Sequence, residues 1–387
     1  MIIKRILILA LITCCAACGM VERDGQHSFQ LPVAESGTAA KPRIFDINNR
    51  QMLDELSAQL GGKRAIFVGE VHDSLAHHQN QLRIIQSLYG RYPDLAIGVE
   101  YFQQPFQPYL DDYIAGRINE REMLIKTEYF KRWQVDFRLL RPIFEFAREK
   151  HIPLLALNIA DEIHNKVFRN GMSSLTAQER SQTPDVMEPA SEHYRQRLKA
   201  IFDSHPEGNY FENFVAGVLL WDSSMADTAA RYLNTHPQSR MVVLAGMVHI
   251  MYGDGIPERL DHRLGSKQSA LLLNGSDFSN YPGSADYLLL PEDHKELPQT
   301  GKLGVAILEN KDSVYVNDFT SGSGAQVAGL RRGDHIVALN GVKVVNMIEL
   351  RAIMFDKQAG ERVQVEVLRN DATDDSKQAL KFDVELR

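Results

Sequence analysis

Residues 67–73 read Phe67-Val68-Gly69-Glu70-Val71-His72-Asp73 (FVGEVHD) and run almost at once into His77-His78. The stretch "RAIFVG" (64–69) predicts a strand that leaves the core on ionisable groups. Its apolar run is near-continuous, which is the mark of a strand covered on both faces and hence of a parallel sheet. In such sheets ligands bind in the crevice outside the carboxyl ends of the strands. The fold and the place to look for function therefore come from the same seven residues.

Further strands are predicted at "LAIGVE" (95–100), "IPLLALNI" (152–159), "RMVVLAG" (240–246), "SALLLNG" (269–275) and "ADYLLL" (285–290). Helical spacing lies between them: Leu53, Leu56 and Leu60; Leu82, Ile85 and Leu88; Leu140, Ile143, Phe144 and Ala147. A mostly helical stretch extends to about His236 and includes a stripe through Phe211, Val215, Val218, Leu219, Met225, Ala226, Ala229 and Leu233. The fold class is α/β, a mainly parallel sheet with helices on both faces over 43–292.

Beyond a polar, Pro-containing junction the character changes. "LGVAIL" (303–308), "VYVNDF" (314–319), "HIVALNG" (335–341) and "VQVEVL" (363–368) are strand-like, Asn340-Gly341 signals a tight turn, and a short helix follows Asn346 as cap. Residues 293–387 form a second, mainly β domain.

The N-terminus is a targeting segment. Lys4 and Arg5 precede Ile6–Ala17, 12 uncharged and mostly apolar residues, against the ~20 needed to span a bilayer. Residues 1–17 read as a signal peptide, and "CAAC-GM" resembles a bacterial lipobox that would leave Cys18 N-terminal and lipidated. Residues 18–42 read as a flexible tether. The resemblance to bacterial lipoproteins implies the cell envelope as location, anchored by lipid and facing the periplasm from the outer membrane, because Gly19 and not Asp follows the cysteine. All three cysteines fall at 14, 15 and 18, so a thiolate metal site or intrachain disulfide is not expected in the mature chain. Losing Lys4 and Arg5 from 43 basic residues leaves 41 against 50 acidic. No basic run argues for nucleic acid.

The polar residues just past each predicted strand form a constellation. The first strand ends in Gly69-Glu70-Val71-His72, the second in Glu100, the third in Asn158, and the fourth in Gly246-Met247-Val248-His249. Two strand exits thus share Gly-x-x-His. Carboxylates and imidazoles in one crevice can bind a metal, shuttle a proton or grip a charged organic ligand. The plainer reading has Glu70 and Asp73 capping the next helix and the histidines packing at the sheet edge. His77 and His78 start that helix and either return to the crevice or lie in solvent. Asp222, inside an apolar stripe, needs a partner: an Arg or backbone amide, or the pocket of His72 and His249. Trp221 reads as packing. Among 13 tyrosines, Tyr101, Tyr109, Tyr194, Tyr210 and Tyr252 lie near these segments. A phenolate suits ferric haem iron, but the sequence singles none out.

Five stretches, "FVGEVHDSLAHHQNQLRIIQ", "LAIGVEYFQQPFQPYLDDYIAG", "LLALNIADEIHNKVFRNGMSSL", "LLWDSSMADTAARYL" and "VVLAGMVHIMYGDGIPERL", together resemble ChaN-type lipoproteins. That superfamily also holds Tiki, TraB and erythromycin esterase-like proteins. The resemblance implies haem as cofactor and a role in iron acquisition. It also implies a tyrosine on haem iron, and a homodimer in which a partner histidine meets a propionate. It suggests Glu70, His72, His78, Glu100, Asp222 and His249 as the haem pocket. Its Tiki-like and esterase-like branches imply instead a hydrolase, metal-dependent (Zn or Mn) or His/Glu-assisted, through Glu70, His72, Glu100 and His249. The helical His-Glu-x-x-His and Gly-x-Ser-x-Gly signatures are not in the sequence.

The C-terminal domain resembles a bacterial PDZ domain through "KLGVAIL" and "SGSGAQVAGLRRGDHIVALNGVKV". The resemblance implies capture of a partner's C-terminal carboxylate by amides at Leu303, Gly304 and Val305, with the peptide added as a strand. Three functions follow: a lipid-anchored haem-binding protein whose PDZ domain recruits a partner, an envelope hydrolase, or a scaffold in which only the PDZ domain acts.

Overall fold

The computed structural model describes residues 43–387 except 54, 134, 205–209, 276, 291–296, 311–312 and 371–376, and the side chains of 279 and 280. The signal peptide, tether and Cys18 lie outside the described residues. In chain order the first elements are β1 (Arg43–Asp46), β2 (Gln51–Leu53), β3 (Ala65–Glu70), α1 (Leu75–Arg91), β4 (Leu95–Gln103), α2 (Gln107–Ile114), α3 (Glu120–Lys126), α4 (Tyr129–Arg132), α5 (Phe137–Glu149) and β5 (Leu154–Asn158). There follow α6 (Asp161–Asn170), α7 (Ala177–Arg180), α8 (Glu192–Asp203), α9 (Phe211–Thr235), β6 (Arg240–Gly246), α10 (Ile256–Leu264), β7 (Ser269–Asn274) and β8 (Tyr287–Leu290).

Eight strands form one sheet in the order β2-β1-β8-β7-β3-β6-β4-β5. All pairings from β8 to β5 are parallel. Every residue of β3, β4 and β5 is buried, which explains their continuous apolar runs. β6 lies between β3 and β4, so the chain skips a position after β3, and the ends of these three strands meet at a switch in strand order.

One expectation fails at the N-terminal edge, and one strand pair there was not expected. Leu53, Leu56 and Leu60 do not share a helix: Leu53 ends β2, and Leu56 and Leu60 are buried in single turns before Gly61-Gly62. So short a connection cannot offset the cost of nucleating a helix. The antiparallel pair β1–β2, which joins the sheet through β8, was not legible because its strands are only 4 and 3 residues long.

The second sheet is wholly antiparallel. Its elements are β9 (Val305–Asn310), β10 (Ser313–Phe319), α11 (Gly324–Ala328), β11 (His335–Leu339), β12 (Val342–Lys343), α12 (Met347–Met354), β13 (Arg362–Asn370) and β14 (Lys377–Glu385). The strand order is β14-β13-β11-β10-β9, with β12 on β11. Asn340 (φ 49°) and Gly341 (φ 74°) make the expected turn, and the Asn346 side chain accepts from Glu349 N–H at 2.9 Å to start α12.

The chain separates into two compact units, and the second contains Ile118–Arg141 as well as Lys295–Arg387. Sequence reasoning placed 118–141 within the first domain. In the structure α3 and α4 pack behind α12 instead. Phe130 meets Phe355 with centroids 5.4 Å apart, and Arg351 Nη1 donates to the Phe130 carbonyl at 2.7 Å. Arg141 bridges Glu120 (2.8 Å) and Asp356 (2.6 Å).

Candidate functional site

The two Gly-x-x-His exits meet because β3 and β6 are neighbours in register, with Gly246 opposite Glu70. Their glycines leave room for neighbouring side chains to pack close. A Cβ on Gly69 would lie 2.6 Å from Leu273 Cδ2, and one on Gly246 would lie 3.0 Å from His72 Cε1. What approaches Gly246 is thus a side chain of the protein, the His72 imidazole.

All six predicted pocket residues come together. Glu70 is the hub of one half. Its Oε1 receives His72 Nδ1 at 2.9 Å; its Oε2 receives Tyr101 Oη at 2.5 Å and Gln81 Nε2 at 2.6 Å, with His78 Nδ1 at 3.1 Å. His78 Nε2 lies 2.9 Å from the His72 carbonyl, which can only accept. Its Nδ1 faces two more acceptors, the Glu70 carboxylate and Gln81 Oε1 at 2.9 Å. Both ring nitrogens must donate, so His78 is an imidazolium. Burial alone would lower His78, but the charge and hydrogen bonding of Glu70 raise it to about 9. Burial would likewise raise Glu70, yet His78 and the bond from His72 hold it well below the usual carboxylate range.

The other half is built on α9. Asp222 accepts from His249 Nδ1 at 2.7 Å and from Tyr194 Oη at 2.7 Å. Neither partner is the Arg or backbone amide of the plainer reading. Glu100 joins the halves: its Oε2 accepts Gly246 N–H at 2.7 Å, and its Oε1 lies 3.7 Å from His249 Nε2. That nitrogen is buried and has no hydrogen-bond partner among the described residues. Burial opposes charge on His72 and His249. The bond to Glu70 and the charge of Glu100 overcome it at His72, the charges of Asp222 and Glu100 at His249, and both end above their ordinary value. Burial, followed by the neighbouring carboxylate, drives the phenols of Tyr101 and Tyr194 well up. Three carboxylates thus face three imidazoles in an interior network.

Glu70 does not cap α1; Ser74 does. His77 stays out of the network. Its Nδ1 accepts from Val71 N–H at 3.0 Å, and burial lowers it to about 4. Asn158 holds the Glu100 carbonyl at 3.3 Å. Trp221 packs, as expected, stacking on His164 at 3.7 Å. Sequence reasoning missed Gln81, although its position three residues after His78 on α1 is the spacing that lets both reach Glu70.

None of the six network residues is more than 5% exposed, so no open face remains on them for a large planar ligand. Among the described residues no three His, Cys, Asp or Glu side chains converge in metal-holding geometry. Open space occurs elsewhere in the same unit. A cleft of about 770 Å³ is lined by Tyr252, Asp254, Glu258, Asp261, His262 and Lys267, among others. Tyr252 has a left-handed backbone (φ 63°) and sits edge-on to His193 at 4.6 Å, with the Arg197 guanidinium 5.0 Å from its ring. Asp254 is bonded by Arg197 Nη2 (2.6 Å) and His193 Nδ1 (3.0 Å). A smaller cavity of about 330 Å³ lies past β4 and β5, beside Gln104, Ile159 and Asp227.

A polar network at the switch point of a mainly parallel sheet, followed in the chain by a PDZ domain, defines the class. Residues 56–260 match the family described as haem-binding uptake, Tiki superfamily, ChaN, and residues 301–380 match the PDZ domain. The first match spans more than half of the chain, and the protein belongs to that family. A solved structure described as cofacial haem binding to ChaN of Campylobacter jejuni is 17% identical with a TM-score of 0.52, covering 68% of this chain and 100% of that one; it shares the fold. The serine protease Do-like HtrA of Bacillus subtilis (strain 168) is 37% identical over 82 residues, 20% of this chain and 18% of the relative. The chain therefore spans less than a fifth of that relative's length. The HtrA3 PDZ domain bound to a phage-derived ligand (FGRWV) is 21% identical with a TM-score of 0.19, covering 23% of this chain and 86% of that one.

Proposed function

We propose that the protein is a lipid-anchored haem-binding protein of the cell envelope that serves iron acquisition and recruits a partner's C-terminus through its PDZ domain. Family membership supports haem; the cleft beside Tyr252 is the observation that carries its location. Its size lies within the ~300–1,000 Å³ range of ligand sites. It offers a phenol beside a guanidinium, with the His262 imidazole and the Lys267 ammonium as hydrogen-bond donors for propionates. Its carboxylates do not all oppose an anion. Asp261 is engaged by Gln268 N–H and Ser269, Asp286 by Leu271 N–H, and Asp254 by Arg197 and His193. Tyr101 and Tyr194 are excluded as ferric ligands, because each donates its proton to a buried carboxylate. The interior network then holds the scaffold under the cleft. A homodimer formed on haem addition is part of this reading.

The test is haem titration of the purified protein. Wild type and the Tyr101→Phe variant should give the same saturable Soret shift, and Tyr252→Phe should lose its tyrosinate signature. Loss at Tyr210→Phe instead would move the site; no saturable shift in any form would overturn haem binding. One observation favours hydrolysis as a second reading: His249 Nε2 is buried, has no hydrogen-bond partner among the described residues and lies 3.7 Å from Glu100 Oε1. That reading requires the closed network to open to substrate.

A further inference from the structure

The peptide groove of the second unit carries more information than its ability to take a carboxylate. β9 is an edge strand, paired only with β10 among the described residues. The loop before it is held by its carbonyls. Leu303 O accepts from Ala325 N–H (3.0 Å) and Ser323 Oγ (3.1 Å), and Gly304 O from Thr320 N–H (2.9 Å). The amides of Leu303 and Gly304 donate to no backbone carbonyl among the described residues. A terminal carboxylate bound there puts a peptide antiparallel to β9.

Side chains alternate along a strand, and residues directly opposite share a face. Val305 and Ile307 face inward, packed on the apolar cluster that includes Leu350, Ile353 and Met354. Glu309 is next on that face. Its Oε1 accepts from Met347 N–H at 2.9 Å, which fixes the carboxylate at the mouth of the groove between β9 and α12. Ala306 and Leu308 face the other way, and Leu308 is 55% exposed. In this register the last residue of the peptide lies opposite Val305, the third-from-last opposite Ile307 and the fifth-from-last opposite Glu309. Apolar side chains suit the first two places, and a cation suits the third.

We infer that Glu309 selects the partner: a protein whose C-terminus ends in an aliphatic residue, with an apolar residue third from the end and Lys or Arg fifth from the end. The inference rests on the peptide-binding reading above. Oε2 of Glu309 is the atom that would receive the cation, while Oε1 keeps its bond to α12. The other reading is that Glu309 serves α12 alone as an N-terminal acceptor; it predicts no dependence on ligand charge.

Ten-residue peptides with a free carboxylate, differing only in Lys or Glu at the fifth-from-last place, are titrated by fluorescence anisotropy into the full chain at low salt. Wild type should prefer the Lys peptide by about five-fold, the scale of an exposed ion pair gained against a like-charge pair. Glu309→Gln should retain the bond to Met347 yet lose the preference, and Glu309→Lys should reverse it. Moving the Lys one place toward the C-terminus should abolish the preference in wild type. Equal preference in all three proteins, or a preference that survives the move, overturns the role of Glu309 while leaving carboxylate capture intact. Equal binding of amidated peptides, or no binding at all, overturns the peptide-binding reading and this inference with it.

Discussion

His78 shows how one residue can be fixed in a charge state by geometry alone. It faces only acceptors, and the Glu70 carboxylate it neutralises also receives Tyr101, Gln81 and His72. Because its folded pKa of about 9 lies above the ordinary 6.5, its contribution to stability is complete below about pH 6.5 and is lost as pH rises through 9. The shift is worth on the order of 3 kcal/mol. Urea unfolding of the wild type should therefore weaken between pH 7 and 10, whereas His78→Gln should start lower and fall less steeply over that window, its remaining slope coming from His72 and His249. Identical slopes would mean that His78 is not the titrating group. Glu70 works in the opposite sense, supporting the fold above its ordinary pKa and losing that support as pH falls.

At the scale of elements, helix α12 is held from both sides. Leu350, Ile353 and Met354 face the PDZ core, while Phe130, Arg351 and Arg141 tie the helix and the residues after it to α3 and α4. Phe130 is 7% exposed, and truncating a buried Phe typically costs ~3–5 kcal/mol. Phe130→Ala should thus destabilise the second unit by about 3 kcal/mol and weaken peptide binding, although it lies 171 residues before the family match to the PDZ domain begins at 301. Arg141→Ala, which removes a partly exposed bridge, should cost about 1 kcal/mol. Differential hydrogen exchange of α12 would read both; unchanged protection would show that the brace does not hold the helix. The strands β3, β4 and β6 were legible from their apolar runs, and α12 from Asn346. The brace was not, since nothing in the periodicity of 118–141 says which surface its apolar side chains will cover.

At the scale of the whole molecule, the proposal joins an N-terminal lipid to a haem site and a peptide site. Among the described residues no helix is long and apolar enough to cross a membrane. In the proposed function, Cys18 would provide the membrane association through its lipid. Expression with labelled palmitate should mark the wild type, and Cys18→Ser should lose the label and move to the soluble fraction. Retained label would remove the lipid from the proposal and leave the two sites untouched.

The sequence by itself determined the sheet class and the PDZ domain, and it marked Glu70, His72, Glu100 and His249 as strand-exit candidates, because each is written in local pattern; His78 and Asp222 it left open between the crevice and other partners. Apolar runs mark buried strands, and Gly-x-x-His marks two strand exits where neighbouring side chains pack close. Only the tertiary structure decided what those residues face. Strand order put β6 between β3 and β4, so Gly246 admits His72 and Glu100 reaches toward His249. The crevice expected to receive a ligand is filled by its own ion network, and Asp222 finds Tyr194 and His249 across long stretches of chain. Contacts of that kind depend on which strands become neighbours, and strand order is a property of the packed sheet that no single segment contains.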